Sequence, residues 1–253
     1  SVPELFVGIS SAANDLSVFS FGNVIGANII NATLILGLVG LLAGRDIVIE
    51  KKFSRKTFFA ALAIGIFPLA LAWDGRVDRF DGLLLLLVFL GYLYNLYQDE
   101  EYFTQTFNNF SKPPAEFLKN VFRNLAVFMV ALAILLLASS ILVKTGGKIA
   151  LRFGISVFSL GILLVALGTT LPELTFGIRS SLASRGEMGL GTAIGSVIFN
   201  LLFILGLVSL IQPITLAEKS ALTFINLLAV TGILLFLYAA SRLTGGLSRG
   251  VGV

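Results

Sequence analysis

Neither cysteine nor histidine occurs among the 253 residues, and only 13% are charged. The missing thiols and imidazoles exclude disulfide scaffolds, thiolate or imidazole metal sites, cysteine nucleophiles and histidine general bases. Any bound ion must then be held by oxygen alone, which suits Na⁺, Ca²⁺ or Mg²⁺ rather than zinc or copper. The scarcity of charge excludes a water-soluble domain. With 57% hydrophobic residues and a mean hydropathy of +0.96, such a domain would expose large apolar patches.

What the chain has instead is apolar runs of membrane-spanning length: Gly22 to Ala43, Phe58 to Trp73, Gly82 to Tyr97, Leu125 to Val143, Ile155 to Leu174 and beyond, Leu190 to Ile211, and Ala221 to Ala240. About 20 residues cross the hydrocarbon core, so these read as seven spans. An eighth is partial, because the chain opens at "SVPELFVGISSAAN" without Met or a signal-peptide n-region, and Ser1 reads as the middle of a truncated helix. The net charge of +4 does not point to nucleic acid, since the basic residues lie between the apolar runs and report topology. One set of alternating loops holds Arg45, Lys51, Lys52, Arg55, Lys56, Lys112, Lys119, Arg123, Arg179, Arg185, Arg242 and Arg249. The other holds only Arg76, Arg79, Lys144, Lys148, Arg152 and Lys219, so the first set is expected to face the cytoplasm. A polar stretch containing Pro113-Pro114 makes residues 99–120 a cytoplasmic linker between halves at 1–98 and 121–253. Its Asp99, Glu100 and Glu101 read as a solvated acidic loop.

The halves are copies. Laid with Ser1 opposite Thr170, the two sequences run without a gap at a constant offset of 169 residues. Pro3-Glu4-Leu5 meets Pro172-Glu173-Leu174, while Gly22, Ile25, Gly26, Ile29 and Asn31 meet Gly191, Ile194, Gly195, Ile198 and Asn200. Shared leucines are expected of any two membrane helices, whereas matched proline, glutamate, glycines and asparagine are not. The chain crosses the membrane five times between the two opening helices. That odd number points the copies in opposite directions, the inverted-repeat plan of secondary transporters with a site near the midplane.

Chemistry concentrates where the copies match. Pro172 has no N–H to give the Gly168 carbonyl, so the helix must break or kink just before it. Free backbone at membrane depth is tolerated only beside protein or a polar cavity, and here Thr169, Thr170 and Glu173 lie within one turn of the break. Together they form a cluster of hard oxygen donors. A carboxylate near the bilayer centre costs about 2.5–3.5 kcal/mol on insertion scales, and two related ones call for a compensating cation. Gly22/Gly26 and Gly191/Gly195 give side-chain-free stripes for close helix approach. Asn31 and Asn200, near mid-span, each offer an amide oxygen to an ion or hydrogen bonds to a carboxylate. Taken singly, small-residue stripes, a lone asparagine or a proline are usually packing features. Their recurrence at one spacing in both copies points to function.

These blocks, "GTTLPEL…S" with "G…GS.IFN" and "S.PEL…S" with "GN.IGANI.N", resemble the α-1 and α-2 repeats of the cation/Ca²⁺ exchanger superfamily, the sodium/calcium exchanger-like membrane proteins. The resemblance covers nearly the whole chain. It implies an all-α membrane fold of two inverted five-helix halves, ten helices in all, of which about eight are present: the first, the start of the second and the tenth are missing. Residues preceding Ser1 are then expected to mirror Ala166-Leu167-Gly168-Thr169. It also implies a metal-ion site of Glu4 and Glu173, the hydroxyls of Ser1, Thr169, Thr170 and Ser196, the Ala166 carbonyl, and the amides of Asn31 and Asn200. Two departures stand out. Ala27 replaces the serine expected after Gly26, and Asn200 is neutral where some relatives carry aspartate. The expected protein is therefore not an enzyme and has no cofactor. It is a prokaryotic plasma-membrane antiporter exchanging Ca²⁺ for Na⁺, with H⁺/Ca²⁺ exchange as the alternative. An intramembrane hydrolase would need a nucleophile or aspartate pair in the bilayer, yet Asp15, Asp46, Asp74, Asp78, Asp81 and Asp99 all fall in or beside loops. A non-transporting relic, its site opened by a lost helix, is the remaining alternative.

Overall fold

The computed structural model describes residues 1–42, 64, 67–68, 70–98 and 115–216. The expected spans at 58–73, in large part, and at 221–240 lie outside the described residues, as does residue range 99–114 of the linker. The last six residues of that linker are already helical, because a single helix runs from Ala115 to Phe153.

Among the described residues, the regular structure is helical apart from one pair of two-residue strands. In the first copy α1 spans Val2–Ala13, α2 Ser17–Ile30 and α3 Leu36–Leu42, the last two joined by a π-helical turn over Asn31–Ile35. Next come α4 (Arg79–Gln98) and the long α5 (Ala115–Phe153). The second copy holds α6 (Val157–Leu160), a π turn over Gly161–Val165, α7 (Ala166–Thr169), α8 (Leu171–Leu182) and α9 (Gly186–Ile198). Another π turn over Phe199–Ile204 leads into α10 (Leu205–Ile211). Among the described residues, four continuous helical stretches are long and apolar enough to span: Ser17–Leu42, Arg79–Tyr97, Met129–Phe153 and Met188–Ile211. The stretch from Val157 to Leu182 is divided at Thr170, where the proline forces the break.

The duplication is visible in three dimensions. Asp15 and Ser184, 169 residues apart, both turn the chain at φ 59°, the left-handed residue that ends a helix. At each turn the same long hydrogen bond closes the loop, Leu16 N–H to Ser11 C=O at 2.9 Å and Arg185 N–H to Ser180 C=O at 2.8 Å. Helix α1 packs on α10 as α8 packs on α3. A glycine makes each contact possible. A Cβ on Gly8 would lie 3.0 Å from Val208 Cγ2 and 3.1 Å from Ile204 Cγ2. On Gly177 it would lie 3.1 Å from Val39 Cγ2 and 3.2 Å from Ile35 Cγ2, the equivalent residues.

One end of the bundle carries a polar latch between the copies. The Gln212 side chain accepts from Ser17 N–H at 3.1 Å and donates to Asp15 Oδ1 at 3.0 Å, while Ser17 Oγ donates to the Pro213 carbonyl at 3.0 Å. Beside it β1 (Arg76–Val77) pairs antiparallel with β2 (Ile214–Thr215). Asp78 caps α4, accepting from the N–H of Phe80 and of Asp81 at 2.8 and 3.0 Å while Asp81 Oδ2 accepts from Asp78 N–H at 2.9 Å. The Asp81 N–H, more than any other group, holds the Asp78 carboxyl below the usual range.

Candidate cation site

Each carboxylate stands in the first turn of a helix that begins inside the bundle. Ser1 and Thr170 are the N-caps of α1 and α8, Pro3 and Pro172 sit in the opening turn where no N–H is needed, and Glu4 and Glu173 follow. The unpaired N–H groups of a helix start carry partial positive charge, so this is the end of the helix that favours an anion. Glu4 is fully buried and Glu173 is 6% exposed. The Ser1 amino group donates to Glu173 Oε1 and lies 3.9 Å from Glu4 Oε2. Glu4 and Glu173 thus lie close enough to share one neighbouring nitrogen. Among the described residues, Ser1 Oγ, both Glu4 carboxylate oxygens and Glu173 Oε2 have no hydrogen-bond partner. Leaving so many buried acceptors unmade is costly unless something outside the protein fills them.

Beside this pair, the helix break presents its own oxygens. Both threonine hydroxyls turn onto the Ala166 carbonyl, Thr169 at 3.3 Å and Thr170 at 2.8 Å, and the Thr170 N–H adds a third donor at 3.1 Å. Thr169 also donates to Asn23 Oδ1 of α2 at 3.2 Å. The chain comes this close because α2 lies directly on α6 and α7: a Cβ on Gly26 would fall 2.5 Å from the Ile162 carbonyl oxygen and 2.6 Å from Ala166 Cβ. Ala27, on the next residue, supplies no oxygen to this face.

Asn31 and Asn200 are both fully buried, and each lies in a π turn. Such turns occur often at functional sites, because the extra residue breaks the regular i→i−4 ladder and re-aims the side chains around it. Asn200 Nδ2 donates to Asn28 Oδ1 at 3.0 Å, leaving Asn200 Oδ1 unpartnered. Among the described residues, neither amide atom of Asn31 has a hydrogen-bond partner. Ser196 is buried on α9 at 7% exposure. The structure therefore brings Ser1, Glu4 and Glu173 together, and Ala166, Thr169 and Thr170 together. Among the described residues, no hydrogen bond joins Asn31 or Ser196 to either carboxylate.

Sequence reasoning passed over Asn23 and Asn28, buried residues of α2 that bond across to the other copy. Both stand inside "GNVIGANIIN", but their counterparts at the repeat offset are Thr192 and Val197. A search for recurring residues cannot find residues that do not recur. Two polar residues within one apolar span were the available signal.

Two copies of one helical pattern, each opening a helix on a buried glutamate, make an architecture of the kind found in membrane transporters. The chain belongs to the sodium/calcium exchanger protein family, whose model matches residues 1–98 and 123–253. Inner membrane protein YrbG of Escherichia coli is 29% identical over 221 residues, covering 84% of this chain and 66% of that protein's length. Sodium/calcium exchanger MaX1 of Methanosarcina acetivorans is 25% identical over 261 residues, covering 87% of this chain and 72% of its own. In three dimensions the chain is similar to the sodium-calcium exchanger NCX_Mj in a structure without Na⁺ and Ca²⁺, with a TM-score of 0.66 and 27% identity over 99% of this chain and 77% of that one.

Proposed function

We propose that the protein is a secondary antiporter that exchanges Ca²⁺ for Na⁺ across the membrane by alternating access. The observation that carries this reading is the buried pair Glu4 and Glu173, one from each inverted copy and each in the first turn of a helix that begins inside the bundle. Two carboxylates balance one Ca²⁺ or two Na⁺, so the same site is neutral in either loaded state and strongly charged when empty. In a low dielectric the empty, doubly negative site is costly, and the site changes its exposure only when loaded. That coupling is the requirement for exchange rather than leak. The hydroxyls of Ser1, Thr169, Thr170 and Ser196, the Ala166 carbonyl and the amide oxygens of Asn31 and Asn200 complete an oxygen-only shell. The threonine hydroxyls turn from Ala166 toward the ion as it enters. The halves, 1–98 and 121–253, rock or slide about this site, with the 99–120 linker on the cytoplasmic side of a prokaryotic plasma membrane, as the distribution of basic residues supports.

A carboxylate can also trade a cation for a proton, and the experiment separates the two counter-ions. Full-length protein in Ca²⁺-containing medium, reconstituted into Na⁺-loaded vesicles, should take up Ca²⁺ in proportion to the Na⁺ gradient and be indifferent to an imposed pH gradient at equal Na⁺. Uptake that follows only the pH gradient would replace Na⁺ by H⁺ in this reading, and no gradient-driven uptake of either kind would overturn it.

A further inference from the structure

The two mid-span amides occupy equivalent places in the repeat but not equivalent environments. Asn200 is held by Asn28, whose Oδ1 takes a hydrogen from Asn200 Nδ2 at 3.0 Å, both residues being at most 1% exposed. Among the described residues Asn31, the counterpart of Asn200, has no such holder, and the place of Asn28 in the second copy is Val197. An amide presents an oxygen that attracts a cation on one side and an NH₂ group that repels it on the other. In the structure the bond to Asn28 commits the NH₂ group of Asn200 and leaves Asn200 Oδ1, like Asn28 Nδ2, buried without a hydrogen-bond partner among the described residues.

We propose that Asn28 is a positioning residue for ion exchange, fixing Asn200 with its amide oxygen presented as a cation ligand, while Asn31 is left free to turn. The inference rests on the exchange reading above and names a residue which that reading does not use. Its consequence is ion-specific. Ca²⁺ takes its binding mainly from the carboxylates, whereas Na⁺ depends more on neutral oxygens, so losing the holder weakens Na⁺ more than Ca²⁺. It also acts through one residue only, so its effect disappears when the Asn200 amide is gone.

The test is a double-variant cycle in the full-length protein, with Asn28→Val as the first substitution because the other copy already carries valine at that place. Asn28→Val should raise the apparent KM for Na⁺ about five-fold, the scale of one hydrogen bond, with less change for Ca²⁺ and little in maximal rate. In an Asn200→Ala background it should change nothing further. Stabilisation of the purified protein by NaCl, read as a shift in melting temperature, gives the same comparison without any need for flux. A failure of exchange itself therefore does not decide this point. An unchanged Na⁺ dependence for Asn28→Val, or the same loss with and without the Asn200 amide, overturns the proposal. So does a protein in which Asn200→Ala folds while Asn28→Val and Asn28→Ala both do not, since Asn28 would then be a packing residue.

Discussion

Among the described residues, the glycine spacing shared by the two copies is seen in close contact on α2 and not on α9. On α2, a Cβ at Gly22 would overlap the Phe158 carbonyl oxygen and one at Gly26 would lie 2.5 Å from that of Ile162, so backbone meets backbone. On α9, Gly191 and Gly195 have nothing within 4 Å among the described residues. The helices are similar in length, 14 and 13 residues, and carry the same Gly-xxx-Gly spacing. What differs is the neighbour: α2 lies against α6, α7 and the π turn between them, and at the repeat offset the counterparts of those residues would precede Ser1. A stripe of glycines records what a helix surface permits, and the element across from it decides whether the permission is used.

The comparison breaks first, and hardest, at the carboxylates, where the copies should be alike. Glu4→Gln and Glu173→Gln should each reduce Ca²⁺ exchange in vesicles to the level of protein-free controls, because a neutral amide cannot balance a divalent ion in a low dielectric. Transport surviving in one variant but not the other would make the site one-sided.

The glycine contact comes next. In the full-length protein in detergent, Gly26→Ala forces a methyl group into a backbone contact and should cost about 1–3 kcal/mol, the range for overpacking. Gly195→Ala should cost as much where the counterpart of residues 157–169 covers α9 in the same way. Thermal unfolding of the two variants reads both, and a neutral Gly195→Ala would mean that α9 has no such neighbour.

The smallest effect sharpens the contrast between Ala27 and Ser196, which are equivalent in the repeat. Ala27→Ser should raise apparent Na⁺ affinity and Ser196→Ala lower it, each by about 1 kcal/mol, or roughly five-fold, with Ca²⁺ moving less. The concentration dependence of Na⁺-driven Ca²⁺ flux checks both. If neither substitution moves it, these positions pack rather than bind, and the case for Na⁺ over H⁺ weakens.

Much of this was legible before any coordinates. The break at Thr170 follows from Pro172, which has no N–H to donate, and the burial of Glu4 and Glu173 follows from their place in apolar runs beside that break. The π turns at Asn31 and Asn200 were not legible, since no residue type demands one and the extra residue is absorbed where two helices must fit each other. Nor were the partners of Asn23 and Asn28. Their chemistry is plain in the sequence, but which group faces them across the copies is not.

By itself the sequence determined that this chain lives in a bilayer, that it is built twice in opposite senses, and that each copy opens a helix on proline and glutamate. Those properties are additive along the chain: hydropathy sums residue by residue, orientation follows from an odd number of crossings, and a proline breaks its own helix. Only the tertiary structure decided which glycines are in contact, that Thr169 bonds to Asn23 and Asn200 to Asn28, and that the matched Asn31 and Asn200 stand in unequal surroundings. Such outcomes depend on pairs of residues more than 100 positions apart, and the free energy of a buried polar group is set by what lies against it, which no local pattern encodes.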